Sequence, residues 1–78
     1  MKVKIYGSKG CLQCLMLKEF LKKHKIKYKE IDVEDNEDAF KKMVNKSNQD
    51  RTPVVEIDNK IIIGYDKPKL EKLLKIKE

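Results

Sequence analysis

Ser8-Lys9-Gly10-Cys11-Leu12-Gln13-Cys14 contains both cysteines of a 78-residue chain, two residues apart and close to its start. What flanks this stretch decides the fold. Upstream, Lys2-Val3-Lys4-Ile5-Tyr6 alternates polar and apolar residues with period two, the signature of a half-buried strand. Gly7 to Gly10 interrupts it. Downstream, Leu17, Phe20, Leu21 and His24 recur at helical spacing with Lys and Glu between them, which predicts an amphipathic helix from about Cys11 to His24. The cysteine pair therefore opens a helix directly after a first strand.

The remaining pattern extends this start. Residues 28–33 alternate again and read as a second strand. The acidic run Glu34-Asp35-Asn36-Glu37-Asp38 then begins a helix carrying Ala39, Phe40, Met43 and Val44. Acids in a first turn complement the helix dipole, and Asp35 or Asn36 suits the cap. Ser47 to Arg51 is polar loop. Pro53-Val54-Val55-Glu56-Ile57 and Lys60-Ile61-Ile62-Ile63-Gly64 pair as a hairpin across Asp58-Asn59. Asp66 caps a last helix with Leu70, Leu73 and Leu74 on its apolar side and Pro68 in its first turn. The order β-α-β-α-β-β-α makes the first two strands parallel neighbours and adds an antiparallel half. The expected fold is α/β, a four-stranded mixed sheet flanked by three helices.

Length predicts one domain with a thin core. No run approaches the 18 apolar residues of a membrane span, and no secretory pattern opens the chain, so a cytoplasmic protein is expected. There a cysteine pair is seldom a permanent staple. Net charge is +6, unevenly placed: residues 1–29 carry nine Lys against one Glu, residues 30–78 ten basic against twelve acidic groups. No aromatic residue interleaves Lys18, Lys22, Lys23 and Lys25 as a base-stacking platform requires, so nucleic acid is not the expected partner. The lysines read as solvated faces, with an acidic protein partner as the functional alternative.

Three chemistries compete for Cys11 and Cys14. Structural zinc needs four ligands, and the chain adds only His24, which lies on the apolar side of the helix and reads as a packing residue. A soft-metal carrier needs two thiolates, but such domains end on a strand, whereas this chain ends on a helix. A redox dithiol suits the context best. Unsatisfied N–H groups at a helix start favour the thiolate that disulfide exchange requires, and Lys9 adds a cation two residues away. Cys11 then attacks, and Cys14, one turn into the helix and sheltered, resolves. No metal site is assigned. Soft-metal binding, and a redox-weak adaptor docking through its basic half, stand as the alternatives.

Arg51-Thr52-Pro53-Val54 supplies a second element. A proline heading a strand can simply mark an edge. The chain order, however, returns this loop beside the cysteines. A cis Thr52–Pro53 bond would leave the Thr52 backbone open to an extended substrate.

Taken together, Gly10-Cys11-Leu12-Gln13-Cys14, Thr52-Pro53-Val54 and Gly64-Tyr65-Asp66 resemble a glutaredoxin-like member of the thioredoxin superfamily over nearly the whole chain. The resemblance implies a thioredoxin-like fold, a cis proline, and reduction of protein or glutathione-mixed disulfides without a bound cofactor. It implies electrons from glutathione or from thioredoxin reductase. Lys9 and Asp66 match positions that hold the two ends of glutathione. Substrate contacts are accordingly expected from Lys9, Gln13, Thr52, Pro53, Val54, Gly64, Tyr65 and Asp66, in a protein expected to be a monomer. Three departures stand out: Leu12-Gln13 replaces Pro-Tyr, Tyr65 replaces a second glycine, and Thr52 directly precedes Pro53. Cys-x-Gln-Cys is similar to the electron donors of ribonucleotide reductase, although the tryptophan those donors carry before the last helix is missing. Small glutaredoxin-like proteins with Gly-aromatic-Asp-Lys at that point look most alike.

Overall fold

The computed structural model describes residues 1–76. Its elements run β1 (Val3–Gly7), α1 (Leu12–Lys23), β2 (Lys29–Asp32), α2 (Glu37–Ser47), β3 (Val54–Ile57), β4 (Lys60–Ile63) and α3 (Lys67–Leu74). The four strands form one mixed sheet in the order β2-β1-β3-β4. β1 and β2 are parallel, with Tyr6 opposite Ile31. β3 lies antiparallel to β1, Ile5 facing Val55, and β4 antiparallel to β3, Val55 facing Ile62. This is the expected four-stranded mixed sheet with three helices.

Element ends follow from backbone chemistry. β3 starts at Val54 rather than Pro53, because proline has no N–H for the ladder; the Thr52–Pro53 bond is cis. β4 stops at Ile63 because Gly64 turns to φ +75°, a conformation that favours glycine. Asn36 rather than Asp35 caps α2, its side-chain oxygen accepting the Ala39 N–H at 3.0 Å. Asp66 caps α3 by accepting the Lys69 N–H at 3.3 Å.

Alternation along the strands separates two apolar layers. Val3, Ile5, Val55, Ile57 and Ile62 pack with Leu17, Phe20 and Leu21 of α1 and Leu70 and Leu74 of α3. Tyr6 and Val54 face the other way, against Val33 and against Ala39 and Met43 of α2. Leu17 and Leu21 are wholly buried, each contributing about 1.5–3 kcal/mol of transfer free energy. That burial fixes α1 on the sheet and with it the position of the cysteines. His24 ends α1 as its C-cap, with its ring 4.6 Å from that of Phe20. Among the described residues no helix is long and apolar enough to cross a membrane.

Candidate active site

Cys11 stands at the junction of the β1–α1 loop and the helix. It is the N-cap of α1, in extended conformation, and its Sγ accepts the Cys14 N–H at 3.1 Å. A sulfur held there lies against the positive end of the helix backbone, the environment that stabilises a thiolate. Cys14 lies one turn on and is bonded to Cys11 in a disulfide, with the Cα atoms 5.2 Å apart. The two sulfurs are unequally accessible: Cys14 is 2% exposed, whereas Cys11 is partly exposed and lines an open groove. Gly7 permits this burial, since a Cβ there would sit 3.3 Å from the Cys14 Sγ.

The cations near the pair are already engaged. Lys9 was expected to bring a positive charge to Cys11; its ammonium instead meets Asp35 at 3.3 Å, and its N–H donates to Glu34 at 2.9 Å. Lys18, beside the cleft formed by Cys11, Leu12 and Cys14, donates to Glu30 at 2.8 Å. That hydrogen bond raises the Lys18 pKa above the usual lysine value, against the opposing effect of desolvation. The helix start is therefore the positive field in direct contact with the Cys11 sulfur.

The proline loop does come back to the cysteines. The Ser8 and Thr52 hydroxyls lie 2.8 Å apart and tie the cysteine loop to the cis Thr52–Pro53 bond. Thr52 shares the groove with Cys11. Pro53 and Val54 are buried, so anything they offer a substrate is backbone. The Pro53 C=O accepts the Gly64 N–H at 2.9 Å, joining this loop to the turn before α3.

Gln13 closes the circuit. Its Oε1 accepts the Tyr65 N–H at 3.4 Å and lies 3.3 Å from where a Gly64 Cβ would be. The Tyr65 ring packs on the α1–α3 core, with Phe20 6.1 Å away edge-on. Asp66 is occupied as the α3 cap. Lys9, Gln13, Thr52, Pro53, Gly64 and Tyr65 are thus linked directly or through neighbours around the cysteines, while the side chain of Val54 belongs to the core. Sequence reading placed Gly7 and Ser8 only in the break after the first strand and Glu34 only in the acidic start of the second helix, not in the contacts they make here. A glycine at the end of a strand was the available signal for the first; the other two act through contacts 44 and 25 residues away.

Among the described residues no group of three or more His, Cys, Asp or Glu side chains is placed to hold a metal ion. Two sulfurs positioned for reversible disulfide formation, one accessible and one buried, can exchange electrons in pairs. The glutaredoxin family model matches residues 3–62. The chain belongs to the glutaredoxin family. This glutaredoxin is 35% identical, over 92% of its length and 96% of the relative's, to an uncharacterized glutaredoxin-like 8.6 kDa protein of a rubredoxin operon in Clostridium pasteurianum. It is 28% identical to the glutaredoxin-like protein NrdH of Lactococcus lactis subsp. cremoris, covering 91% of this chain and 97% of that one. Among solved structures it superposes on the thioredoxin-like protein BC3987 with a TM-score of 0.86 at 32% identity, covering 92% of this chain and 99% of that one. As a glutaredoxin-like redoxin it is a thiol–disulfide oxidoreductase, and its Cys11–Cys14 pair is the redox-active disulfide.

Proposed function

We propose that this redoxin reduces protein disulfides in preference to glutathione-mixed disulfides, with Cys11 as nucleophile and Cys14 as resolver. The observation that carries the role assignment is the contrast between a helix-capping, accessible Cys11 and a Cys14 that is 2% exposed. In the reduced protein the Cys11 thiolate attacks one sulfur of the substrate disulfide. A protein–substrate disulfide forms, and the other substrate sulfur leaves and takes up a proton. Cys14, deprotonated, then attacks the Cys11 Sγ and releases the second substrate thiol. Two electrons pass to the substrate and the Cys11–Cys14 disulfide remains. Thr52, held by Pro53 and Val54, aligns an extended substrate through its backbone, and Gly64, Tyr65 and Asp66 border it.

The preference for protein disulfides is supported by what already occupies the anchors implied by the glutathione resemblance. Lys9 is paired with Asp35, Asp66 caps α3, and Gln13 takes the Tyr65 N–H. The same occupancy favours thioredoxin reductase over glutathione as the electron source. No bound cofactor is required.

A Cys14→Ser variant incubated with a disulfide substrate should accumulate a mixed disulfide that peptide mass spectrometry places on Cys11. A Cys11→Ser variant should trap none. An adduct on Cys14 in the latter, or none on Cys11 in the former, overturns the roles. Recycling of the oxidised protein should be faster with NADPH and thioredoxin reductase than with glutathione and glutathione reductase; the reverse order removes the preference.

A further inference from the structure

We infer that the groove beside Cys11 selects disulfide substrates in which a basic residue flanks the exchanging cysteine, seated in an extended segment of a protein partner. The inference rests on the reading of Cys11 as the attacking sulfur.

The groove, about 740 Å³, runs from Cys11 along Ser8–Gly10 and Thr52 to the start of α2. Val33 and Phe40 form an apolar floor, and Glu34, Glu37 and Asp50 stand at its edge. These carboxylates belong to the acidic part of a chain that is otherwise basic: residues 34–38 hold four acids and no cation, in a protein of net charge +6. Of the two cations in the lining, Lys9 has the Asp35 carboxylate 3.3 Å away and donates its own N–H to Glu34, so acids outnumber it locally. Arg51 remains, with guanidinium donors suited to peptide carbonyls. Among the described residues Glu37 pairs with Lys41, at 3.6 Å between two well-exposed groups, an arrangement worth little in water. Asp50 has no ion pair among the described residues. A ligand carboxylate at this wall meets Glu34, Glu37 and Asp50; a lysine or arginine meets them favourably. An extended chain crossing Thr52 has a backbone edge to follow, because the Thr52 N–H and C=O enter no hydrogen bond among the described residues.

Global and local fields predict opposite signs, which makes the inference decidable. Steering by the net charge of +6 favours an anionic peptide, whereas the groove favours a cationic one. Pre-reduced protein is mixed in single-turnover stopped flow with two peptides, each carrying one cysteine as a 2-thiopyridyl disulfide and flanked by either two lysines or two glutamates. After subtraction of the uncatalysed rate, the lysine peptide should react about tenfold faster at low salt, with the ratio falling toward one as ionic strength approaches about 0.5 M. In the E37Q/D50N double variant the ratio should drop at least about threefold. Equal rates, an anionic preference, or a ratio indifferent to the double substitution overturns the inference. Reduction of hydroxyethyl disulfide and of both peptides without charge preference refutes the groove and leaves the oxidoreductase reading intact. Reaction with none of them refutes that reading instead. Docking is then decided by NMR titration of the oxidised protein with the same peptides carrying serine for cysteine. Shifts at Val33, Glu37 and Phe40 with the lysine peptide alone support the groove; their absence overturns it.

Discussion

Gly64→Ala probes the contact that connects the cysteine helix to the loop before α3. Gly64 has φ +75°, where a residue with a Cβ loses about 1–2 kcal/mol. The added methyl would also lie 3.3 Å from Gln13 Oε1, the far end of an exposed and flexible side chain. Gln13 can swing aside, at the cost of its 3.4 Å bond from the Tyr65 N–H, a long hydrogen bond worth about 0.5 kcal/mol. The sum is about 1.5–2.5 kcal/mol, equivalent to roughly 6–20 °C in Tm for a domain of this size. Urea unfolding of wild type, G64A, Q13A and Q13A/G64A under reducing conditions separates the two contributions. In the Q13A background G64A should still cost about 1–2 kcal/mol, because the backbone strain remains when the contact is gone. If G64A becomes neutral once Gln13 is alanine, collision with Gln13 rather than the left-handed backbone sets the requirement for glycine, and the reasoning fails.

Further outcomes test the site and its supports. Both C11S and C11A abolish the disulfide, but serine can still accept the Cys14 N–H; C11S should therefore be the more stable by about 1 kcal/mol in urea titration. Parity would mean that the residue-11 side chain is no cap. S8A removes one partner of the 2.8 Å hydroxyl pair with Thr52 and should cost about 1 kcal/mol, with faster hydrogen exchange of the Gly64 amide, which donates to the Pro53 carbonyl of the same loop. The Lys46 ammonium donates to Glu56 at 2.8 Å, and this hydrogen bond raises its pKa above the usual lysine value despite desolvation. A raised folded pKa contributes stability below the unfolded value and loses it as pH climbs through the folded one. Discounted for the 38% exposure of its side chain, the pair should make wild type about 0.5 kcal/mol more stable than K46M near neutrality. As pH is raised from neutrality, that margin should vanish only above the ordinary lysine range; a margin lost near neutrality would refute the assignment.

Most of the fold was legible because its determinants are local. Apolar residues at Leu17, Phe20 and Leu21 marked a helix, and alternation through Val3 and Ile5 marked a strand, whose second covered face, that of Tyr6, emerges only when α2 packs on it. Asn59 beside Asp58 marked the hairpin, and Asp66 marked the start of α3. Ends shifted by one or two residues where single groups intervened: a proline without N–H at position 53, and a glycine of positive φ at position 64. The cysteine pair and the Thr52–Pro53 element were also legible, since strand, motif and helix occur in the order that brings them together. Contacts spanning many residues were not. Gln13 meets the Tyr65 backbone across 52 positions, and Lys9 meets Asp35 across 26. Periodicity does not reveal that an acid in a helix-start cluster has taken the cation expected at the sulfur.

The tight seat of Cys14 against Gly7 also bears on how the protein withstands oxidants. A peroxide reaching the site meets Cys11 first and converts it to a sulfenic acid, the reversible first rung of thiol oxidation. The Cys14 thiol, with its Cα 5.2 Å from that of Cys11, can condense with it, expelling water and regenerating the ordinary disulfide. Higher oxidation to sulfinic acid must compete with this intramolecular step, and Cys14, packed against the strand end, is the better shielded of the two cysteines. Burial of the second cysteine thus turns an oxidative hit into one more entry to the normal redox cycle.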